Sequence, residues 1–275
     1  MIIAGKFAPQ FVQETIDASN VNSLNDALWI DMINPTHDEE DFVEECLSID
    51  VPTREEMLEI ELSSRLYKEN GALFMTATMV AQAESHSPQQ DAVTFILMKN
   101  KLITIRYIEP QAFKLFMSRL NKLPPIDNPN TLLTELLDAT IDRFADILEI
   151  INHQLESHSK ETFHHDDTKN KNYQQQLQHL GVTGELNSKI MESLVSFNRL
   201  IPFFDQSIKI ETEDHLRLNT LSKDIYALSD HSAFLSNKIS FLLEATLGMV
   251  QIEQNAIIKI FSVAAVIFLP PTLIA

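Results

Sequence analysis

The sequence predicts an α+β/α protein: an N-terminal αβα domain with a largely antiparallel sheet, followed by long stalk helices, the last of which leads into a transmembrane helix. Three observations predict this fold class. Strand-like runs fill much of the first 110 residues, long stretches without Pro or Gly follow, and the last twenty residues are almost entirely apolar. We therefore expect an α/β domain (1–125), a stalk (126–252) and a membrane segment (253–275).

The N-terminal domain begins with a short apolar run at 27–33, which a turn signal at Asn34-Pro35 ends. Two Thr-x-x-Glu capping boxes then predict one helix over 36–47 and another over 53–62. Four strand-like runs follow, at 65–68, 72–81, 92–98 and 102–107, with tight turns expected at Asn70-Gly71 and Lys99-Asn100. A short helix is expected over 111–120.

The stalk begins with a segment from 130 to about 181 that contains no Pro or Gly before its end. Its apolar side chains follow helical spacing, at Leu133, Leu136, Leu137, Thr140, Phe144, Ile147, Leu148, Ile151 and Leu155. We expect a second helix over Thr183–Ile201, because Pro202 disfavours its continuation.

The third stalk helix carries a strict alternation of three- and four-residue steps, which is typical of a heptad seam. Ten of its thirteen positions are apolar; they are Leu218, Leu221, Ile225, Leu228, Ser232, Leu235, Ile239, Leu242, Thr246, Met249, Glu253, Ala256 and Ile260. So long a seam predicts packing against the other long helices or against copies of the same chain.

The final segment, Ala256–Ala275, contains a single charged residue, Lys259. About 20 such residues are needed to span a bilayer. The N-terminus has no signal-peptide pattern, and the single Cys46 fits a reducing compartment. We therefore expect a membrane protein whose residues 1–252 stay in the cytoplasm.

The net charge of −18 disfavours nucleic acid as a partner and attracts cations. The chain has only 5 Gly, and it contains no glycine-rich phosphate loop, no nucleophile elbow and no His-x-x-x-His on a predicted helix. We therefore expect no enzymatic activity and no organic cofactor.

Residues 252–263 and 268–275 closely resemble the end of the stalk and the first membrane helix of the CorA magnesium channels, and 238–249 resembles their stalk. The run Ala27–Asp31 is also similar, more loosely. The resemblance implies a homopentamer in a bacterial inner membrane that passes Mg²⁺, with Co²⁺ or Ni²⁺, and is gated by intracellular Mg²⁺. The family continues into a Gly-Met-Asn loop and a second membrane helix, so we expect that this chain is truncated before both.

The residues Asn255, Ser262, Leu269 and Thr272 lie at near-helical spacing along the final helix. The resemblance implies that Asn255, Leu269 and Thr272 face the pore. Neutral amide and hydroxyl groups suit a pore for Mg²⁺, which gives up its water reluctantly. The alternative is that Ser262 and Thr272 bond within their own helix and that Leu269 faces lipid. Lys259 is either part of the pore mouth or a snorkelling anchor.

The resemblance also implies regulatory Mg²⁺ held by carboxylates between subunits. Asp91, Glu213 and Asp224 are our candidates, and the alternative for each is a solvated helix or strand face. A second candidate metal cluster is His164-His165-Asp166-Asp167, with His153 and His158 upstream, although the solvated tip of a helix pair is the favoured interpretation.

Two other functions stay open at the level of sequence. One is a zinc transporter of the same superfamily, and the other is a coiled-coil scaffold whose apolar tail is only an anchor. The polar positions on the tail argue against a simple anchor, which has no need of them.

Overall fold

The computed structural model describes residues 1–7, 10–16, 20–85, 87–163, 172–207 and 212–274, excluding the side chains of Leu62 and of residues 267–274. Seven strands form one sheet in this part of the chain. They are β1 (Ile2–Phe7), β2 (Phe11–Thr15), β3 (Trp29–Ile33), β4 (Leu66–Glu69), β5 (Ala72–Ala81), β6 (Gln89–Leu97) and β7 (Leu102–Arg106).

The strands lie in the order β2-β1-β3-β7-β6-β5-β4, and only the central pair, β3 and β7, is parallel. This confirms the predicted, largely antiparallel sheet. Asn70 and Gly71 both have positive φ, 47° and 82°, as a type I′ hairpin turn requires. The β1–β2 hairpin was not predicted, because β2 has one buried and four exposed residues and so lacks a strand-like apolar pattern.

Helices cover both faces of the sheet. They are α1 (Asn22–Asp26), α2 (His37–Leu47), α3 (Arg54–Met57), α4 (Leu62–Arg65), α5 (Gln111–Leu120), α6 (Pro129–Phe163), α7 (Tyr173–Ser207) and α8 (Thr212–Ile274). Residues of α1, α2 and α3 share a core with one face, whereas α5 to α8 share a larger core with the other. The αβα arrangement is therefore confirmed, whereas the boundaries at 125/126 and 252/253 stay predictions.

Both capping boxes form. The Thr36 hydroxyl accepts from the Glu39 amide while the Glu39 carboxylate accepts from the Thr36 amide, and Thr53 and Glu56 repeat the arrangement. The first box opens α2 over the predicted range. The prediction for the second helix was wrong at its end, because α3 stops at Met57. Leu58 and Ile60 are exposed, so continuing the helix there buries no apolar surface.

The first stalk helix, α6, buries all nine residues of its predicted apolar stripe. The prediction that Pro202 ends the second helix was wrong, since α7 runs from Tyr173 to Ser207 with Pro202 inside it. Ile201 and Phe204 on either side are fully buried. We attribute the continuation to this packing, which offsets the hydrogen bond that proline cannot donate.

Helix α8 contains 63 residues, and packing covers only the first part of its seam. Seam positions from Leu218 to Thr246 are buried or half-buried against α6 and α7. Met249 is half-buried, and Glu253, Ala256 and Ile260 are exposed. Burial along the seam therefore divides α8 into two segments. The first is packed, and no other element of the described chain covers the second.

Candidate functional site

The candidate site is the uncovered end of α8. The chain is helical here through Ile274, across Pro270 and Pro271. Within the described residues, one helix, Thr212–Val266, contains a window long and apolar enough to cross a membrane, and that window is not buried in the structure. An apolar helix with no protein around it is what a bilayer accommodates.

Asn255 and Ser262 are both exposed on this helix. They are seven residues apart, and at about 100° per residue they therefore lie within about 20° of each other around the helix axis. The Ser262 hydroxyl donates to the Ile258 carbonyl at 2.8 Å, so it also bonds within its own helix. Lys259 is exposed and lies about 40° from Asn255. For Leu269 and Thr272 the structure describes the helical backbone only, so the direction in which their side chains point stays a prediction.

The polar stripe lies opposite the packed seam. Thr246 is fully buried, and Asn255 follows it by nine residues, which places Asn255 about 180° around the axis. The stripe therefore points away from α6 and α7. This follows from the heptad pattern, since a/d positions face the partner helices and the stripe occupies positions outside the seam.

The end of α6 and the start of α7 lie near the part of α8 that precedes the uncovered segment. The Phe163 ring stacks on the Phe241 ring, with 6.0 Å between the centroids. Burial and the nearby Glu253 carboxylate raise the pKa of Tyr173 at the start of α7. This part of the α6–α7 pair thus contacts α8 just before the apolar segment begins.

The three regulatory candidates lie apart in the chain. Asp91 is on β6 and already accepts from Arg54 at 2.9 Å and from the Ala92 amide. Glu213 is in the first turn of α8, and Asp224 is exposed about three turns later. No group of three or more His, Cys, Asp or Glu side chains in the described part of the chain is arranged to hold a metal ion.

Glu213 borders an acidic cavity of about 330 Å³ at the start of α8, whose other charged residues are Asp127, Glu135, Asp214 and Arg217. Asp214 is buried and accepts from Thr131 at 2.7 Å, and Arg217 pairs with Glu135. Burial, together with the Asp142 carboxylate, raises the pKa of the neighbouring Asp138. The sequence analysis did not predict that α6 contributes Glu135 to this cavity. The only signal was that the polar face of that helix carries carboxylates.

The predicted histidine cluster at 164–167 lies outside the described residues. Of its upstream members, His153 is exposed and His158 is buried. His158 faces His179 of α7, which sequence reasoning did not single out.

The comparisons agree with one family. The model of the CorA-like Mg²⁺ transporter proteins matches residues 25–275. The magnesium transport protein CorA of Pasteurella multocida is 31% identical over 261 residues, covering 94% of this chain and 82% of that protein. That of Sodalis glossinidius is 33% identical over 262 residues, with the same coverage.

Solved structures show the same fold. The complete CorA magnesium transporter of Methanocaldococcus jannaschii aligns with a TM-score of 0.75 at 17% identity, covering all of this chain and 85% of that one. The cytoplasmic domain of ZntB from Vibrio parahaemolyticus aligns with a TM-score of 0.65 at 14% identity, over 91% and 98% of the two chains. The family match and the candidate span confirm the expected membrane location. This chain belongs to the CorA family of Mg²⁺ transporter proteins.

Proposed function

We propose that the chain is one subunit of a homopentameric channel for Mg²⁺, which also admits Co²⁺ or Ni²⁺. Its C-terminal helix lines the pore, residues 1–252 lie in the cytoplasm, and intracellular Mg²⁺ gates the channel. Relatives that are 31–33% identical and named as magnesium transport proteins support the transported ion.

The polar stripe on α8 is the observation that carries this proposal. Asn255 and Ser262 lie on one face, opposite the buried seam, and from Ala256 to Val266 the only other polar residue is Lys259. Polar groups within a membrane helix are costly when they face lipid, and they normally face a partner or a water-filled path. Copies of α8 arranged around an axis give the stripe such a path.

The chemistry of the stripe suits a hydrated cation. Mg²⁺ loses its water shell reluctantly, so neutral amide and hydroxyl groups can bind the shell without stripping it. A ring of Asn255 side chains provides such groups. We place Leu269 at an apolar constriction and Thr272 beyond it. Lys259, next to the stripe, would contribute to the pore mouth or anchor the helix at the interface.

Uncovered aromatic side chains on α8 support assembly. Tyr226, Phe234 and Phe241 are 67%, 58% and 58% exposed in the single chain. Large exposed aromatic side chains on one helix are candidates for coverage by a partner chain. We propose that neighbouring copies cover it, and that Glu213 and Asp224, which are exposed, bind regulatory Mg²⁺ at these contacts. Asp91 reaches a metal only if it releases Arg54.

The test is Mg²⁺ uptake into vesicles that contain the protein expressed from its complete gene. Asn255→Leu replaces the amide with an apolar side chain of similar size, and we expect it to reduce Mg²⁺ uptake strongly. Gln254→Leu is the matched control, because Gln254 is also exposed but lies about 100° away from the stripe. Equal loss in both variants would contradict the pore face.

The same vesicles separate the other functions. Uptake of Zn²⁺ driven by a proton gradient, without Mg²⁺ uptake, would identify a zinc transporter. No uptake of either ion by a correctly inserted protein would leave the scaffold function.

A further inference from the structure

A cavity of about 240 Å³ lies between α6, α7 and the loop after β5, in the part of the molecule that precedes the membrane segment. Its polar lining includes Glu84 from the loop, His158 from α6, and His179 and Thr183 from α7. The proposed ion pathway uses none of these residues.

His158 is the unusual member of this lining. It is only 9% exposed, and its Nδ1 atom is buried without a hydrogen-bond partner. The distance from this Nδ1 to Glu161 Oε2 is 3.7 Å, which is too long for a hydrogen bond. Burial lowers the pKa of His158, which favours the neutral form of its ring. A neutral imidazole offers one nitrogen lone pair, which is the form that binds metal ions.

A second unsatisfied atom lies beside the same carboxylate. Gln176 Nε2 is 3.5 Å from Glu161 Oε2, and Gln176 Oε1 is buried without a partner. These two are the only buried side-chain polar atoms without a hydrogen bond in the described part of the chain. Native proteins leave few such atoms, and an ion is one of the groups that satisfies them.

The spacing of these residues supports a shared ligand. His158 and Glu161 are three residues apart on α6, and Gln176 and His179 are three apart on α7. Residues at this spacing lie on one helix face, and metal sites in helical bundles use similar pairs on facing helices. The rings of His158 and His179 meet edge to face, with 5.7 Å between their centroids.

We propose that the contact between α6 and α7 at the edge of this cavity binds a first-row transition-metal ion, such as Zn²⁺ or Co²⁺. Its ligands are His158 and His179, which line the cavity, and Glu161, which lies outside the lining beside His158, with the Gln176 amide oxygen next to Glu161. Nitrogen ligands favour such ions over Mg²⁺, which prefers oxygen. Tetrahedral bonds of about 2.1 Å place a nitrogen and an oxygen ligand about 3.4 Å apart, close to the separation of His158 from Glu161. No three-residue group is preassembled in the described chain, so the exposed His179 must rotate to complete the site.

The test is titration of the tag-free protein with Co²⁺ in the presence of millimolar Mg²⁺, read from the visible absorption of coordinated Co²⁺. We expect one Co²⁺ per chain, displaced by Zn²⁺. His158→Gln and His179→Ala should each weaken Co²⁺ binding by more than about tenfold. His153→Ala is the matched control, because His153 is an exposed histidine of the same helix outside the cavity lining, and it should bind like the parent.

His179→Ala decides the result if His158→Gln disturbs folding, because His179 is exposed. Unchanged Co²⁺ binding in His179→Ala would overturn the proposal, as would equal weakening in His153→Ala or a failure of the parent protein to bind Co²⁺ in the presence of millimolar Mg²⁺. The outcome is independent of ion transport, because none of these residues lies in the membrane segment.

Discussion

At the scale of single residues, a buried polar network joins the two central parallel strands. Trp29 Nε1 donates to the Thr104 hydroxyl at 3.0 Å, and that hydroxyl donates to Asp31 Oδ1 at 2.7 Å. The Arg106 guanidinium donates to Asp31 Oδ2 at 2.9 Å and to the Ile108 carbonyl. Every member is paired, so the network specifies the register of β3 against β7.

Removing the carboxylate of this network should lower the stability of the folded protein. We expect Asp31→Ala to lower the free energy of unfolding by about 3–5 kcal/mol, because it leaves the buried Arg106 charge unpaired. Urea unfolding followed by the fluorescence of Trp29, the single tryptophan, measures it. Arg54→Ala is the control, since Arg54 is half exposed in its pair with Asp91 and should cost no more than about 1 kcal/mol. Similar losses in both would contradict this account.

Glu39 predicts an acid dependence of stability. Burial raises the pKa of Glu39, but the N-terminal ammonium of Met1, 2.7 Å away, and the bonds with Thr36 outweigh burial and leave the pKa below its usual value. A lowered pKa gives stability that is present above the unfolded pKa and is lost as pH falls through the folded pKa.

We therefore expect Glu39→Gln to flatten the fall in the urea midpoint between neutral pH and about pH 3. Glu45→Gln, at an exposed carboxylate of the same helix, is the control and should keep the parent slope. Parallel curves for the parent and Glu39→Gln would count against the proposed role of the ammonium.

At the scale of elements, the predictions that rest on local sequence patterns are confirmed. Helix α2 has both its capping box and its end at the predicted residues, and β5 spans the predicted range. Errors arise where tertiary packing decides. Helix α7 continues through Pro202 because its neighbours are buried, and α3 stops early because the residues after it are not.

The two candidate sites differ in how far sequence could predict them. The stripe of Asn255 and Ser262 lies on one helix, so spacing alone places both residues on one face. The His158 cavity joins residues of two helices and a loop, and no spacing rule relates His158 to His179 before α6 and α7 pack together. Single-helix arrangements are therefore predictable here, whereas contacts across helices are not.

The contact between α7 and α8 predicts a coupled pair. Asn187 donates to the Ser232 carbonyl at 3.0 Å, and the Ser232 hydroxyl donates to Asn187 Oδ1 at 3.2 Å, both buried. We expect Asn187→Ala and Ser232→Ala each to cost about 1–3 kcal/mol, since each leaves a buried polar group unpaired.

A double-mutant cycle by urea unfolding should show that the double mutant loses less free energy of unfolding than the sum of the two single mutants' losses. Ser229→Ala is the control, because that hydroxyl bonds within its own helix, to Ile225, and should cost no more than about 0.5 kcal/mol. Strict additivity would mean that the two side chains do not act as a unit.

At the scale of the whole molecule, net charge predicts how copies assemble. Each chain carries −18, so in the proposed oligomer copies packed along α8 would repel one another unless cations lay between them. We expect limited proteolysis to be slower, and the oligomer to be more stable, in millimolar Mg²⁺ than in EDTA. NaCl of equal ionic strength is the control and should protect less, because it screens charge without bridging carboxylates. Unchanged cleavage and oligomer size would contradict bridging.

Helix α8 has a mechanical consequence. Its 63 residues form one helix from Thr212, beside the acidic cavity, to Ile274 in the apolar segment. At about 1.5 Å per residue this element is a lever of about 95 Å. A tilt of only about 5° about its Thr212 end displaces the other end by about 8 Å, which exceeds the diameter of a water molecule more than twofold. In the proposed channel, a small change of tilt beside the acidic cavity would therefore move the pore-lining end of α8 by a distance comparable to the width of an ion path.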